Sequence, residues 1–194
     1  MTDYTALERA LKARGDGGRL VRGEPMSRHT SFGIGGPADL LLVAQAVDEL
    51  AAWVGLARAY DVPVAVLGQG TNVLVADAGV RGLVIINACR NYRIDDRGTL
   101  AVEAGALLRE VARRTVAENW RGLEWAVGIP GTVGGAVVGN AGAYGGSMSD
   151  VVRWVRLLRP DGTVEQAPAG VLDYGYRLSA LKREPRGGPR TVVL

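Results

Sequence analysis

The sequence holds a single cysteine, Cys89, and a single histidine, His29, among its 194 residues. One cysteine excludes an intrachain disulfide and a multi-thiolate metal site, and one histidine excludes a histidine-rich one. No metal is therefore expected. Cys89 follows the apolar run at 83–86 and reads as a buried structural thiol. Residues 1–9 include acids and lack an apolar core, so they do not read as a secretory signal, and the expected compartment is the cytoplasm. Charge of one sign is also scarce: 23 Lys and Arg face 20 Asp and Glu, leaving +3. The basic residues are mostly mixed with acids, as in Arg93-Ile-Asp-Asp-Arg97, and much of the excess gathers at Lys182, Arg183, Arg186 and Arg190. There is no basic stripe with interleaved aromatics, so a nucleic-acid partner is not expected. A phosphorylated small molecule needs only a local positive field.

Charge is missing altogether from Trp125 to Ser149, a stretch long enough to span a bilayer. It contains eight glycines together with Pro130, Asn140 and Tyr144, and its apolar residues come in short clusters. It reads as buried, ligand-facing backbone, and no membrane partner is expected. Glycine is what the sequence has in excess, 28 residues, about twice the average usage of roughly 7%. Without a collagen-like repeat, such an excess points to tight turns or to backbone brought close to a ligand. Hydrophobic residues at 47% and charged residues at 22% are ordinary for a globular protein, with length for one core divided into two lobes.

Periodicity predicts a short amphipathic helix over 3–15, ending at Gly15-Asp-Gly-Gly18. It then predicts a strand at 38–44, a helix at 47–60 stopped by Asp61 and Pro63, and strands at 64–67 and 83–86. Strand, helix, strand with short connections suggests a βαβ unit and a partly parallel sheet. The second half predicts a strand at 100–104, a helix at 107–118 and a strand at 151–158 turning at Asp161-Gly162 into a partner at 163–166. A last strand is predicted to begin at 191, and the apolar ending suggests that the chain once continued.

Three stretches carry chemistry. Leu67-Gly-Gln-Gly-Thr-Asn72 ends a predicted strand, and its two glycines let peptide N–H groups approach an anion, with Thr71 and Asn72 adding polar groups. It lacks the third glycine of a dinucleotide fingerprint and the Gly-Lys-Ser/Thr of a P-loop, so a plain turn is the competing reading. Gly128-Ile-Pro-Gly-Thr-Val-Gly-Gly-Ala136, followed by Asn140-Ala-Gly-Ala-Tyr-Gly145, is too rich in glycine for helix propensity, at about 1 kcal/mol per helical glycine. Close approach of a flat ligand and tight interlobe packing explain it equally well. In Tyr174-Gly-Tyr-Arg-Leu-Ser179, Arg177 offers a planar cationic fork or else a surface stack on tyrosine, and Ser179 serves equally as a helix cap.

Taken in order, His29-Thr-Ser-Phe32, Ile34-Gly-Gly-Pro-Ala-Asp39, Leu67-Gly-Gln-Gly-Thr-Asn-Val-Leu74, Gly122-Leu-Glu-Trp125, the long glycine-rich motif and Tyr174-Gly-Tyr-Arg-Leu-Ser179 resemble the bacterial UDP-N-acetylenolpyruvoylglucosamine reductases over about 26–194. The resemblance implies an α+β, two-lobed FAD-binding domain of the vanillyl-alcohol-oxidase (PCMH) type, with a βαβ-like first lobe and a more antiparallel second. It implies a lead-in at 1–25, lobes at about 26–88 and 89–194, and a further substrate-binding domain outside this sequence. It also implies noncovalent FAD with NADPH as co-substrate, and a UDP-sugar enolpyruvyl ether reduced to a peptidoglycan precursor. By resemblance, Leu67, Gly68, Gln69, Gly70, Thr71, Asn72 and Val73 belong to a pyrophosphate loop. Gly128, Ile129, Pro130, Gly131, Thr132, Gly134, Gly135, Ala136, Asn140, Gly142 and Ala143 line the flavin in the same reading. Tyr144, Tyr176 and Arg177 meet the substrate, Arg177 as the catalytic cation. The family's proton-donating serine and its assisting glutamate lie beyond this sequence, so the resemblance implies FAD binding without turnover for this stretch alone. Gly33 and Gly139 depart from the family's usual residues. The sequence leaves the oligomeric state open.

Overall fold

The computed structural model describes residues 4–185 and 188–194. Arg186 of the C-terminal basic group, and residue 3 at the start of the first predicted helix, lie outside them. The chain divides into two compact units, one of residues 1–88 with 187–189 and one of residues 89–186 with 190–194.

The first unit opens with helix α1 (Thr5–Ala13), which buries Leu7 and Leu11 one turn apart and stops before Gly15 in the left-handed region. Strand β1 (Val21–Pro25) pairs antiparallel with β2 (Pro37–Ala44). Helix α2 (Val47–Ala59) then leads to β3 (Val64–Leu67) and β4 (Val80–Asn87). The sheet order is β1-β2-β4-β3, and β2 and β3 both run parallel to β4. The parallel crossover expected between β2 and β3 is present, with β4 inserted between them. Register pairs Leu40 with Leu83 and Leu42 with Ile85 on one face, and Leu41 with Val84 on the other. Met26 and Ala38 join Leu41 and Val84 in one cluster, which leaves the opposite face to α2 and its buried Leu50, Trp53, Val54 and Ala57.

Polar contacts tie distant segments of this unit. The Tyr4 hydroxyl donates to Asp39 at 2.6 Å, the Gly82 amide donates to the same carboxylate at 3.1 Å, and Arg81 pairs with it at 2.7 Å. Burial alone would raise the Asp39 pKa, but these donors outweigh it and hold the carboxyl below its ordinary range. Asp16 accepts from the Trp53 indole at 2.9 Å and from Arg19, whose guanidinium stacks 4.7 Å from the same indole.

In the second unit every strand pairing is antiparallel. Strands β5 (Tyr92–Ile94) and β6 (Leu100–Val102) form a hairpin whose turn is held by Asp95 accepting from Arg97 and Thr99. Helix α3 (Leu108–Ala117) follows, with Leu108, Val111, Ala112 and Thr115 buried as the helical period required. After α4 (Val133–Gly139) come the short hairpin β7 (Gly142–Ala143) and β8 (Gly146–Ser147) and the single turn α5 (Met148–Val151). Strands β9 (Trp154–Leu158) and β10 (Val164–Pro168), the turn α6 (Ala180–Arg183) and β11 (Val192–Val193) complete it, in the sheet order β10-β9-β11.

The structure corrects the reading in three places. The glycine-rich stretch, expected as non-helical backbone, contains the helix α4: Val133, Ala136 and Val137 bury one face, and Thr132 caps its start. Residues 151–153 do not open a strand, because Ser147 and Asp150 form a capping box that makes 148–151 helical. The strand expected to 104 stops at Val102, and the carbonyls of Ala104 and Ala106 turn instead to accept from Gly134 and Val133.

Candidate functional site

In the first unit, Leu67 ends β3 half-buried and the chain turns through Gly68, Gln69, Gly70, Thr71 and Asn72 to Val73. Gly70 has φ +66°, and a Cβ there would lie 1.9 Å from the carbonyl oxygen of His29. Glycine is thus imposed on this position by the fold. The Gly70 carbonyl accepts from the Ser31 amide at 3.0 Å, so the His29-Thr-Ser segment buttresses the loop from behind. The other end of the excursion is pinned likewise, since a Cβ at Gly36 would meet the Asp77 carbonyl at 1.9 Å. Among the described residues, nothing accepts from the consecutive amides of Gly70, Thr71 and Asn72. Asn72 is exposed and Thr71 half-buried. A row of amides without protein acceptors, on backbone fixed from behind, is the arrangement that holds a phosphate group.

In the second unit the glycines separate into two kinds. Gly134 is packed: its Cβ would meet that of Ala104 at 2.7 Å. Gly142 closes against Gly146 and Ser147, and Gly146 lies on the Trp125 ring. Trp125 is itself fixed by its indole donating to Gly122 at 2.9 Å, and Glu124 accepts from the Gly122 amide at 2.7 Å. Gly128 and Gly135 are different. Both are exposed, neither has a positive φ, and a side chain at Gly128 would meet nothing within 4 Å. Packing within the unit does not require glycine there, so these are the positions where bare backbone stays available to a flat ligand. Pro130 is exposed beside them, Ile129 is half-buried against the core, and Gly131 takes φ +110° with its carbonyl accepting from Leu108 at 3.0 Å. The first-turn amides of α4 are already used, by Ala106, Ala104, the Thr132 hydroxyl and the Thr132 carbonyl. That end of the helix is therefore not an anion site. Ala136 is buried on the face of α4 that meets the core.

A second constellation in the same unit brings together residues far apart in sequence. Asn140, in the left-handed conformation at φ +43°, ends α4. Its side-chain amide donates to Gly175 at 2.9 Å, and its oxygen accepts from the Ser149 amide at 3.0 Å. Arg177 donates to the Gly142 carbonyl at 2.8 Å. Ser179, fully buried, donates to Val138 at 2.6 Å and accepts from Lys182, so the helix-cap reading of this serine holds. These bonds fix the 174–179 segment against the hairpin of β7 and β8. At the hairpin tip, beyond the half-buried Ala143, Tyr144 and Gly145 have φ +51° and +82°, a turn with both central residues left-handed. Tyr144 is 97% exposed and Tyr176 92% exposed. Arg177, at φ +55°, stacks 5.8 Å from the Tyr176 ring, so the stacked arrangement and the outward-facing fork coexist. Beneath them Tyr174 is half-buried against the core, and burial pushes its phenol well above the ordinary range. Two large residues held at left-handed φ, each costing on the order of 1–3 kcal/mol, mark a segment shaped for presentation.

Sequence reading missed three contributors: the His29 carbonyl behind Gly70, the Ala104 carbonyl and side chain beside Gly134, and the latch formed by Asn140. Only the last left a signal, an asparagine directly after a helix-ending glycine.

The sequence matches the family described as FAD binding domain over residues 38–167. It is 48% identical over 164 residues to the UDP-N-acetylenolpyruvoylglucosamine reductase of Rubrobacter xylanophilus, covering 84% of this chain and 54% of that protein. It is 43% identical to the same-named protein of Heliobacterium modesticaldum, over 86% of this chain and 54% of the relative. The chain thus spans about half the length of the curated relatives it matches. Among solved structures, the UDP-N-acetylenolpyruvylglucosamine reductase of Thermus caldophilus superposes with a TM-score of 0.67 at 34% identity, over 90% of this chain and 59% of that one. An alkyldihydroxyacetonephosphate synthase shares the fold alone, with a TM-score of 0.64 at 17% identity over 99% of this chain and 40% of that one. The architecture is the α+β FAD-binding fold of the vanillyl-alcohol-oxidase (PCMH) type. The chain belongs to the UDP-N-acetylenolpyruvoylglucosamine reductase family, built on the FAD-binding domain.

Proposed function

We propose that the chain binds FAD noncovalently and supplies the flavin-holding part of a cytoplasmic enzyme that reduces the enolpyruvyl ether of a UDP-sugar with NADPH. The observation that carries this reading is the Gly70-Thr71-Asn72 row of amides without protein acceptors at the end of a parallel strand. In this reading those amides, with the Asn72 side chain, take the pyrophosphate, and Gly128 and Gly135 leave room for the ring system. The lead-in is residues 1–25, and residues 26–88 and 89–194 form the two lobes. When bound, FAD supplies hydride chemistry. The chain's own contribution to the reaction is Arg177: with one guanidinium donor spent on Gly142, the rest are available to a substrate carboxylate as negative charge develops on it. The exposed rings of Tyr144 and Tyr176 lie on the segments joined by that bond and offer surfaces for the sugar or the base.

A covalently flavinylated oxidase of the same fold is the competing assignment. It finds little support, because Cys89 is fully buried and the His29 imidazole is paired with Glu24 at 3.0 Å. Acid precipitation separates the two: release of all flavin to the supernatant fits the reductase, and flavin in the pellet contradicts it. The activity itself is tested by substrate-dependent NADPH oxidation in FAD-loaded intact enzyme that contains this chain together with the further domain. Steady oxygen-linked oxidation of an alcohol instead would overturn the assignment.

A further inference from the structure

Asn140 owes its backbone conformation to the end of α4, but that role leaves its side chain unexplained. A left-handed residue at a helix end asks only for glycine or asparagine. Here the amide is buried, the residue being 8% exposed, and both of its polar ends are spent. Nδ2 donates to the Gly175 carbonyl at 2.9 Å, and Oδ1 accepts from the Ser149 amide at 3.0 Å. Gly175 begins a tight turn closed by reciprocal bonds with Leu178, Gly175 donating at 3.0 Å and Leu178 at 3.1 Å. Arg177 lies inside that turn at φ +55°. Its guanidinium reaches back to Gly142, two residues beyond Asn140, and its carbonyl accepts from the Lys182 ammonium at 2.8 Å. The two loops are therefore cross-linked in both directions, Asn140 to the Arg177 turn and Arg177 to the Asn140 loop. Without the amide, the start of the turn at Gly175 loses its side-chain tie to the end of α4, and only the Ser179 bond to Val138 beyond the turn and Arg177's own bond to Gly142 remain.

We propose that Asn140 is a positioning residue for Arg177, holding the turn at Gly175 so that the guanidinium presents its remaining donors in a single orientation. The proposal rests on the reading of Arg177 as the partner of the substrate carboxylate. Because its amide is engaged on both sides, Asn140 acts on bound molecules through this turn, and only its backbone remains for the cofactor.

Two variants dissect the role. Asn140→Gly keeps the left-handed backbone and removes both side-chain bonds. Asn140→Asp keeps the acceptor for Ser149 and removes the donor to Gly175. The first readout needs no substrate: the guanidinium NMR signal of Arg177 in the FAD-loaded chain, assigned by its loss in Arg177→Lys. It should be dispersed and slowly exchanging in the parent and collapse to the exposed-arginine position in both variants, with amide protection in α4 unchanged. The second, made in the intact enzyme that contains this chain and the further domain, is calorimetric binding of UDP-N-acetylglucosamine enolpyruvate. Both variants should weaken it by roughly ten- to a hundredfold, the scale of a misplaced contact group. The Asn140→Gly, Arg177→Ala double variant should bind no more weakly than Arg177→Ala. An unchanged Arg177 signal, an Asn140→Asp protein that behaves like the parent, or losses that multiply in the double variant would each overturn the proposal. If the parent protein ignores the enolpyruvyl compound, the functional reading fails, and the guanidinium signal still decides whether Asn140 positions Arg177.

Discussion

At Gly70 a Cβ would sit inside the His29 carbonyl, and the backbone is left-handed, whereas at Gly128 a Cβ meets nothing and φ is not positive. These two glycines look alike in sequence and differ in what they answer to. Gly70→Ala should cost at least about 1–3 kcal/mol, since strain at φ +66° adds to the displacement of the His29 carbonyl, and flavin should be lost as a consequence. Gly128→Ala should leave thermal unfolding unchanged to within about 0.5 kcal/mol and still weaken FAD binding. A calorimetric scan paired with a flavin titration checks both. Equal stability and equal affinity in the two variants would remove the distinction. In an intact enzyme containing this chain, Arg177→Ala should slow substrate reduction by about 10²–10³ while leaving flavin reduction by NADPH nearly intact, as stopped-flow measurement of the two half-reactions can decide. Equal losses in both would deny Arg177 its role. At this scale the motifs were legible by resemblance, but the reason for glycine at Gly70 and Gly134 was not, since it lies with His29 and Ala104, 30 or more residues away in sequence.

The elements of the first unit were legible because period and breakers agreed: 64–67 was read with the bounds that β3 has, and α2 ends at Ala59 as Asp61 and Pro63 required. What escaped was short or locally contradictory. Strand β1 carries Gly23 at φ +63° and has no alternation of burial, and β7 and β8 are two residues each. Helix α4 was hidden by its own glycines. It forms because tertiary contact outweighs propensity: Gly134 lets its backbone reach Ala104, and Val133, Ala136 and Val137 enter the core. The caps holding these elements are testable. Thr132→Ala should destabilise by about 1 kcal/mol through the start of α4. Ser179→Ala should cost about 1–2 kcal/mol, since a buried hydroxyl serving both Val138 and Lys182 disappears and leaves the Val138 carbonyl short of a donor. Urea unfolding midpoints measure both. A Ser179→Ala protein as stable as its parent would show that the latch at 174–179 contributes nothing to the fold.

Over the whole molecule the two units differ in how their carboxylates are used. In the second, Asp95 and Asp161 close exposed turns on their own neighbours. In the first, Asp39 joins Tyr4, Gly82 and Arg81, and Asp16 joins Trp53 and Arg19. Burial works against the charge on Asp16, Asp39 and Glu49, yet their donors hold all three below the ordinary range. A depressed carboxylate stabilises above its unfolded pKa, about 3.9 for Asp and 4.3 for Glu, and that contribution is lost as pH falls through the lower folded value. Asp95, Glu124 and Asp161 of the second unit are held down too, by amides of their own turns, so acid should act on local turns there and on the ties between distant segments in the first unit. Amide exchange in α1 and β2 should rise below about pH 4, and Asp39→Asn should lower Tm at neutral pH by an amount that shrinks on acidification. A difference that stays constant with pH would contradict the linkage. Among the described residues no helix is long and apolar enough to cross a membrane, and the uncharged stretch from Trp125 onward places Ala126, Val133, Ala136, Val137 and Met148 in the core. The central claim, that the amides at 70–72 receive a flavin dinucleotide, is met most directly by titrating FAD into the apoprotein and its Asn72→Ala variant while following the visible spectrum. The account predicts saturable binding with a structured, red-shifted flavin band in the parent and clearly weaker binding in the variant at unchanged Tm. A parent protein that leaves the spectrum of free FAD unaltered, or a variant that binds as tightly as the parent, would contradict it.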